Sequence, residues 1–435
     1  MLPFALLADD LTGACDAGVQ FSRRGARVRV EVRFPEPGME ANARASGAVC
    51  SEWDLRVVDS DTRHLSPDLA ARRCAHLVTL LAGGGWPVRF KKIDSTLRGQ
   101  IVAELAPLLA GGGTRLLVCP AFPQAGRTLE RGVLRVNGIP VSETELGHDP
   151  LNPVRQSHLP TLLREGLGVP VAQLTPGAIP GGVAVLAERL ESRPEPVLVV
   201  DAASVEDLDL WARTVAHAWS RGLHLVAVGS AGLARALADI LLPEPPPPPR
   251  AGDSRAAPER VAVFAGSRSQ VTREQIARLA AEPNCLHLAL SPRDMAELRG
   301  GQVENAWVAR QMVSLRRAKP SQVVLFSLAS ETVRREDEST APNRLARLLG
   351  GLATALLTQR PVYGLVLTGG DVSLAVLEAL NCHALRLGRE VLPGIPISRL
   401  MGGKADGLAV ITKAGGFGPP EALHLAAAAL LDFTG

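Results

Sequence analysis

Short apolar runs alternate with amphipathic stretches along this chain, a pattern that predicts β-strands alternating with α-helices. Residues 3–8 form the first apolar run, which ends at two aspartates. Helical spacing then covers residues 14–24 and stops at Gly25, and a second strand is predicted at residues 26–32. The chain therefore begins as a β-α-β unit.

The same alternation continues to the C-terminus. A helix is predicted from the capping sequence Ser66-Pro67-Asp68 to the glycines at 83–85, and Asn137-Gly138 predicts a tight hairpin within residues 133–141. Later helices are predicted from Thr272 and at residues 343–357 and 373–380. Further strands are predicted at residues 86–93, 116–119, 197–200, 223–228, 261–265, 322–326, 362–367 and 408–411.

A proline-rich segment interrupts this alternation. Residues 243–258 contain a polyproline run followed by a polar stretch, which is the composition of a stiff, extended linker. We therefore predict an α/β fold with two domains, residues 1–242 and 259–435. Each domain is expected to hold a mainly parallel sheet flanked by helices.

Composition and charge exclude several classes of protein. Of 435 residues, 46% are hydrophobic and 21% are charged, which excludes global disorder, and a net charge of +3 is too small for a protein that coats nucleic acid. No apolar run is long enough for a membrane span, and the N-terminus does not resemble a secretory signal. Six scattered cysteines without a C-x-x-C pair, and histidines without ligand spacing, predict a reduced cytoplasmic protein with no zinc site.

Lysine is rare in this chain, which has 42 arginines and only five lysines. A biased genome explains the excess of arginine. A position that keeps lysine can nevertheless require a compact, flexible ammonium group. Four of the five lie in two short segments, as Lys91, Lys92, Lys404 and Lys413.

The predicted strands of the first domain end in charged and hydroxylated residues. Because ligands bind beyond the carboxyl ends of strands in open α/β sheets, this mixture suits a small polyhydroxylated acid, with cations on its carboxylate and aspartates on its hydroxyls. Each loop alone also fits a helix cap or a surface ion pair. The three loops are Asp9-Asp10, residues 59–63 and residues 91–99.

The predicted strands of the second domain end in glycine-rich turns. Glycine lets the backbone approach a ligand closely, and helix N-termini offer free N–H groups to anions, so these turns suggest a nucleotide phosphate site. Ordinary β-α turns also use glycine. The turns follow Ala265, Thr368 and Lys413, and Gly402-Gly403-Lys404 could add to them.

Several familiar motifs are absent. The chain has no G-x-x-x-x-G-K-[ST] and no protein-kinase H-R-D set. No G-x-G-x-x-G opens the first helix, which argues against an NAD enzyme, and no H-E-x-x-H or G-x-S-x-G indicates a hydrolase.

Taken together, the motifs resemble the four-carbon acid sugar kinase family over nearly the whole chain. Their order and spacing carry the resemblance more than any single motif does. The matching segments are residues 8–14, 92–99, 119–123 with Gly126-Arg127, Asp149-Pro150, 229–233, 266–269, 368–371 and 412–418.

The resemblance implies an ATP-dependent kinase that converts threonate, erythronate or their 3-oxo forms to the 4-phosphate. It also implies that the N-terminal domain holds the sugar acid, the C-terminal domain holds the nucleotide, and the active site lies in the cleft between them. Val372 departs from the family, which often has threonine after Gly-Gly-Asp. The backbone at Gly369-Gly370 is therefore a firmer candidate than the side chains that follow.

Roles for the candidate residues follow from this resemblance. Lys92 and Arg98 would neutralise the substrate carboxylate or the migrating phosphoryl group, and Asp94 or Asp10 would accept the proton of the terminal hydroxyl. The other substrate-binding candidates are Asp9, Arg63, Ser95 and Thr96. The candidates for binding ATP are Ser267, Gly369, Gly370, Asp371, Val372 and Gly415, with Asp371 orienting Mg²⁺ through water.

Two other functions stay open from the sequence alone, an NAD-linked sugar-acid dehydrogenase and a non-catalytic sugar-acid sensor. The expected partners are a small sugar acid and ATP, with neither nucleic acid nor membrane. A homodimer is expected from the general frequency of dimers.

Overall fold

A computed structural model of the chain describes residues 3–32, 52–149, 152–176, 182–244, 260–266, 269–290, 304–317, 322–328, 341–359 and 364–433. The chain divides into two compact units. The first comprises Met1–Val30 with Phe34–Pro246, and the second comprises Glu31–Arg33 with Pro247–Gly435.

The first unit is built on a parallel sheet. Across the sheet, the strands lie in the order β2-β3-β1-β4-β11-β5-β10-β9. Each strand from β3 onward in this order is parallel to the next one. Strands buried along their whole length, such as β1 and β11, are typical of sheets covered on both faces. The strands are β1 (Phe4–Ala8), β2 (Val28–Glu31), β3 (Leu55–Asp59), β4 (Val88–Lys92), β5 (Arg115–Cys119), β9 (Val171–Leu174), β10 (Val197–Val200) and β11 (Leu225–Gly229).

Helices connect these strands, and several begin at a side-chain cap. Asp10 accepts the N–H of Gly13 and so begins the first helix three residues earlier than the sequence pattern predicted. Ser204 and Asp207 form a reciprocal capping box at the N-terminus of the sixth helix. The helices are α1 (Leu11–Ser22), α2 (Pro67–Gly83), α3 (Ile101–Leu109), α4 (Leu159–Leu167), α5 (Gly182–Ser192), α6 (Val205–Ser220) and α7 (Ala231–Leu241).

A small antiparallel sheet, β6 (Arg127–Glu130), β7 (Val133–Val136) and β8 (Ile139–Pro140), belongs to the same unit. Its β7–β8 turn is the predicted Asn137-Gly138 hairpin, and both residues have the positive φ angles that a type I′ turn requires, 50° and 84°. The carboxylate of Asp201 accepts the N–H groups of Arg131 and Gly132 and so holds the β6–β7 turn at the end of β10.

The second unit holds a mixed sheet in the order β13-β14-β12-β15-β18-β17-β16. Its first five strands are parallel, and β17 is antiparallel to both neighbours. The strands are β12 (Val261–Ala265), β13 (Cys285–Leu290), β14 (Val323–Leu328), β15 (Leu365–Thr368), β16 (Ala384–Leu392), β17 (Ile395–Met401) and β18 (Ala409–Lys413). The helices are α8 (Gln270–Ala280), α9 (Glu304–Arg317), α10 (Ala341–Gln359), α11 (Gly370–Ala379) and α12 (Ala422–Leu431).

The predicted fold class, two α/β domains with mainly parallel sheets, is confirmed. The predicted limits of the domains stay predictions, since most of the expected linker lies among residues 245–259, outside the described residues. The β16–β17 hairpin was not predicted from the sequence. No helix within the described ranges is long and apolar enough to cross a membrane.

Candidate active site

The three charged loops of the first unit leave from adjacent strands. β1 lies between β3 and β4 and is parallel to both, so the chain continues to one side of β1 and later returns to the other side. Such a switch in strand order opens a crevice at the carboxyl ends of the strands, where α/β proteins bind ligands. The loops after β1, β3 and β4 meet there, as the sequence predicted.

Arg63 joins the first two loops through two carboxylates. Its Nε and Nη2 lie 2.8 and 2.7 Å from Asp9 Oδ2, and its Nη1 lies 2.6 Å from Asp10 Oδ2. Burial alone would lower the pKa of Arg63, but the charges of Asp10 and Asp9 raise it well above its usual value. Arg63 is therefore a fixed cation that neutralises two aspartates.

Asp10 is fully occupied by neighbours. Oδ1 accepts the N–H of Gly13 at 2.7 Å, and Oδ2 accepts the hydroxyl of Thr12 at 2.8 Å in addition to Arg63. Burial favours the neutral carboxyl, yet Arg63 and Lys92 outweigh it and lower the pKa of Asp10. Asp10 is an ionised helix cap.

Asp9 differs from Asp10 because one of its oxygens is unused. Oδ2 accepts Arg63, whereas Oδ1 is buried and has no hydrogen-bond partner among the described residues. Burial raises the pKa of Asp9, and the nearby negative charges of Asp10 and Glu104 add to that effect against the pull of Arg63. Asp9 Oδ1 is thus a buried acceptor with spare capacity and raised basicity.

Asp94 closes a tight turn after β4. Its Oδ1 accepts both the N–H and the hydroxyl of Thr96 at 2.8 Å, and its Oδ2 accepts Nε of Arg98 at 2.8 Å. Burial would raise the pKa of Asp94, but Arg98, Arg63 and Lys92 hold it well below its usual range. The suggestion that this segment caps the next helix is wrong, because α3 begins at Ile101 and Asp94 turns the chain back on Thr96 instead.

The adjacent lysines of β4 have different environments, since successive side chains of a strand point to opposite faces. Lys91 is fully buried, and its Nζ lies 2.7 Å from Glu104 Oε2 on α3. Glu104 also accepts the hydroxyl of Thr62 at 2.8 Å. Lys91 is therefore paired inside the protein.

Lys92 lies on the side of the charged loops. Its Nζ donates to the carbonyl of Ile93 at 3.1 Å, and a Cβ atom at Gly13 would lie 3.2 Å from it and 2.5 Å from Asp10 Oδ1. Glycine at position 13 is what lets this ammonium group and the first loop come together.

The remaining predicted residues of the first unit lie in the same place. Ser95 and Thr96 are buried in the turn that Asp94 closes, and the side chain of Arg98 is 34% exposed. Arg127 on β6 was not predicted as a site residue. Burial lowers the pKa of Arg127, while the charges of Asp94 and Arg98 also act on it, so it belongs to this charged region.

In the second unit, β12 lies between β14 and β15, and β15 pairs with β18, so the predicted glycine turns also leave from adjacent parallel strands. Gly369 has a φ of +97°, which disfavours side chains, and its N–H donates to the carbonyl of Lys413 at 2.9 Å. Gly370 and Asp371 begin α11, and Asp371 is exposed. Val372, the next residue of that helix, is buried. Gly415 lies in the loop that follows β18. Ser267 lies outside the described residues.

Lys413 was not predicted as a site residue, although its rarity drew attention to it. Its side chain is fully buried, and Nζ donates to the carbonyls of Ala414, Phe417 and Gly415 at 2.8, 3.0 and 3.3 Å. Burial lowers the pKa of Lys413 to about 7.

The suggestion that Gly402-Gly403-Lys404 adds to the glycine turns is wrong. β17 is antiparallel to β18, and Arg399 pairs with Ala409, so the segment after Met401 lies at the amino end of β18. Lys413 lies at the opposite, carboxyl end of the same strand.

Comparisons with known proteins agree with this division of charged and glycine-rich loops. The sequence-family model described as "Sugar-binding N-terminal domain" matches residues 4–237, and the one described as "Nucleotide-binding C-terminal domain" matches residues 262–423.

Individual relatives match along nearly the full chain. A D-threonate kinase from Bordetella bronchiseptica is 37% identical over 98% of this chain and 97% of its own length. A D-erythronate kinase from Heliobacterium modesticaldum is 30% identical over 96% of this chain and 94% of its own length. The solved structure of a Salmonella typhimurium LT2 protein, 22% identical, superimposes with a TM-score of 0.77 over 97% of this chain and 98% of that chain, which shows a shared fold.

The two domain matches, and relatives at 30% identity or more along almost the whole length, agree with the resemblance carried by the sequence motifs. This chain belongs to the four-carbon acid sugar kinase family.

Proposed function

We propose that this protein transfers the γ-phosphoryl group of ATP to the terminal hydroxyl of a four-carbon sugar acid such as threonate, erythronate or a 3-oxo-tetronate. The observation that carries the proposal is the cluster of three carboxylates and three cations at the switch point of the first sheet, namely Asp9, Asp10, Asp94, Arg63, Lys92 and Arg98. Names of relatives, D-threonate kinase and D-erythronate kinase, support the same class of substrate.

The cations divide between two tasks. Arg63 is engaged by Asp9 and Asp10, so it positions these carboxylates. Within the described part of the chain, Lys92 donates a hydrogen bond only to a backbone carbonyl, and Arg98 is partly exposed. These two are therefore suited to bind the carboxylate of the acid or the migrating phosphoryl group.

Among the three aspartates, Asp9 is the best suited to accept the proton of the attacking hydroxyl. Asp10 and Asp94 are saturated with donors and have lowered pKa values, so each is a weak base. Asp9 Oδ1 has no partner among the described residues, and burial raises the pKa of this carboxyl. A general base is most effective when its pKa approaches the working pH.

The nucleotide is assigned to the second unit, at the glycine turns after β12, β15 and β18. Within the described residues, no group of three His, Cys, Asp or Glu side chains could hold a metal ion. Mg²⁺ commonly keeps several waters and binds one or two carboxylates together with substrate phosphates, so it would arrive with ATP and meet at most a residue such as Asp371. Direct transfer requires the bound hydroxyl and the γ-phosphate to meet.

The test is incubation of the purified protein with ATP, Mg²⁺ and a panel of threonates, erythronates and 3-oxo-tetronates. We expect ADP to form only when one of these acids is present, with a 4-phosphate as the product. Reduction of NAD by a sugar acid would instead identify a dehydrogenase. Binding of the acid without any ADP would identify a sensor.

A homodimer and a cytoplasmic location stay predictions, as does the absence of nucleic-acid and membrane partners.

A further inference from the structure

The loop that follows β18, residues 414–418, is folded around a buried cation. The ammonium group of Lys413 has three N–H donors, and three carbonyls of the loop accept them, those of Ala414, Gly415 and Phe417. Residues at the start of helix α8 also hold the loop. The hydroxyls of Ser269 and Thr272 both donate to the carbonyl of Gly415 at 2.7 Å.

The direction of these carbonyls determines the direction of the next N–H groups. In a trans peptide, the C=O of one residue and the N–H of the next point to opposite sides. Because three carbonyls converge on Lys413 Nζ, the N–H groups of Gly415, Gly416 and Gly418 point away from it. None of these three donates a hydrogen bond to any described residue, and Gly416 and Gly418 are exposed.

Among the residues that the structure describes, no carboxylate balances the charge of Lys413. Burial is the one cause that shifts the pKa of Lys413 among the described residues. The polar side chains on the elements packed against the lysine and its loop are uncharged, namely Ser269, Thr272 and Gln275 at α8 and Thr368 on β15. An uncompensated buried cation is costly. Binding an anion beyond the outward N–H groups would offset that cost.

We propose that Lys413 is a positioning residue for the nucleotide, whose ammonium group gathers the carbonyls of residues 414–418 and turns the opposite N–H groups into a binding site for the phosphates of ATP. This inference rests on the proposed function and adds to it the group that shapes the phosphate loop. Concave sets of backbone N–H groups are established anion sites.

The test compares Lys413→Met with Lys404→Met, which makes the same change at an exposed lysine at the other end of β18. Lys413→Met is expected to fold, since each carbonyl keeps another donor: Phe417 N on Ala414, the two hydroxyls on Gly415, and Gln275 on Phe417. By calorimetric titration with ADP and excess Mg²⁺ at pH 7, Lys413→Met should raise the Kd about 10- to 100-fold, the usual effect of losing a hydrogen-bonding charge. The KM for ATP should rise in parallel, and the KM for the sugar acid should stay unchanged.

Because the chain has only five lysines, isotopic labelling of lysine provides a second readout in the unmodified protein. One lysine NMR signal, which is missing in Lys413→Met, should titrate at a higher pH once ADP is bound. A Lys413 signal that titrates identically with and without ADP would overturn the inference, as would unchanged ADP affinity in Lys413→Met. A wild-type protein that binds no ADP would overturn the proposed function as well, so the two failures are distinguishable.

Discussion

The guanidinium of Arg63 holds Asp10 at 2.6 Å, and the same group holds Asp9 at 2.7 Å. One arginine, whose side chain is 16% exposed, thereby compensates two carboxylates from consecutive positions. Lys92 is a second positive charge that acts on both carboxylates.

Replacing Arg63 by Gln should leave two buried carboxylates without their main counter-charge. Breaking a buried ion pair by removing one partner typically costs about 3–5 kcal/mol, so we expect a loss of that order in the free energy of unfolding, measured in urea at pH 7. Arg73→Gln, on α2, changes a more exposed arginine that contacts the carboxylate of Asp61 at 3.5 Å and is the control. Equal stability of the two variants would contradict the role given to Arg63.

Asp9→Asn should reduce kcat by about 10²–10⁴-fold, the usual contribution of a general base. Asp61→Asn is the matched control on the β3 loop, because Asp61 is exposed and already has a positive φ angle that asparagine tolerates. Asp94→Asn and Asp10→Asn should raise the KM for the sugar acid more than they lower kcat. If Asp94→Asn or Asp10→Asn abolishes kcat while Asp9→Asn does not, the base has been assigned to the wrong carboxylate.

The dependence of kcat/KM on pH should carry the signature of Asp9. Its pKa is raised by burial, and only the ionised carboxylate accepts a proton, so the rate should rise with pH through this raised pKa and then level off. Steady-state assays from pH 4 to pH 8 check this expectation. The ascending limb should disappear from the residual activity of Asp9→Asn.

The buried Lys91–Glu104 pair should behave as a unit. Glu104→Leu alone leaves the ammonium of Lys91 buried and unpaired, for which we expect a cost of about 3–5 kcal/mol in the free energy of unfolding. The double variant Lys91→Met with Glu104→Leu should recover most of that stability, because apolar side chains can replace a buried ion pair. A double-mutant cycle in urea measures the coupling, and additive effects would contradict it.

Lys413 should make the stability of the protein increase with pH. Since burial lowers its folded-state pKa to about 7, the unfolded chain binds more protons than the folded protein above that pH. The stability of the wild type relative to Lys413→Met should therefore rise by at most about 1.4 kcal/mol per pH unit between pH 7 and pH 9. Urea unfolding at three pH values tests both the sign and the size.

The sequence predicted those parts of the site that depend on local order. Predicted strands ended at Asp9 and Asp94, and the rule that parallel strands present their carboxyl ends on one edge was enough to group these two loops. The hairpin at Asn137-Gly138 was equally local, because two adjacent residues with positive φ determine it.

What the sequence did not predict depends on contacts between distant positions. Strand alternation places Lys91 and Lys92 on opposite faces, but only the position of Glu104 on α3 shows that Lys91 is the paired one. Gln275 donates to the carbonyl of Phe417, which lies 142 positions further along the chain. The β16–β17 hairpin was missed because its strands lack a clear alternation of buried and exposed residues.

Gly13 limits how the first loop can evolve. A methyl group there would lie 2.5 Å from Asp10 Oδ1, closer than unbonded atoms tolerate, and 3.2 Å from Lys92 Nζ, which is a tight contact. A descendant of this enzyme with a larger residue at that position would have to displace the capping aspartate, so a library randomised at codon 13 should return glycine most often among its active clones.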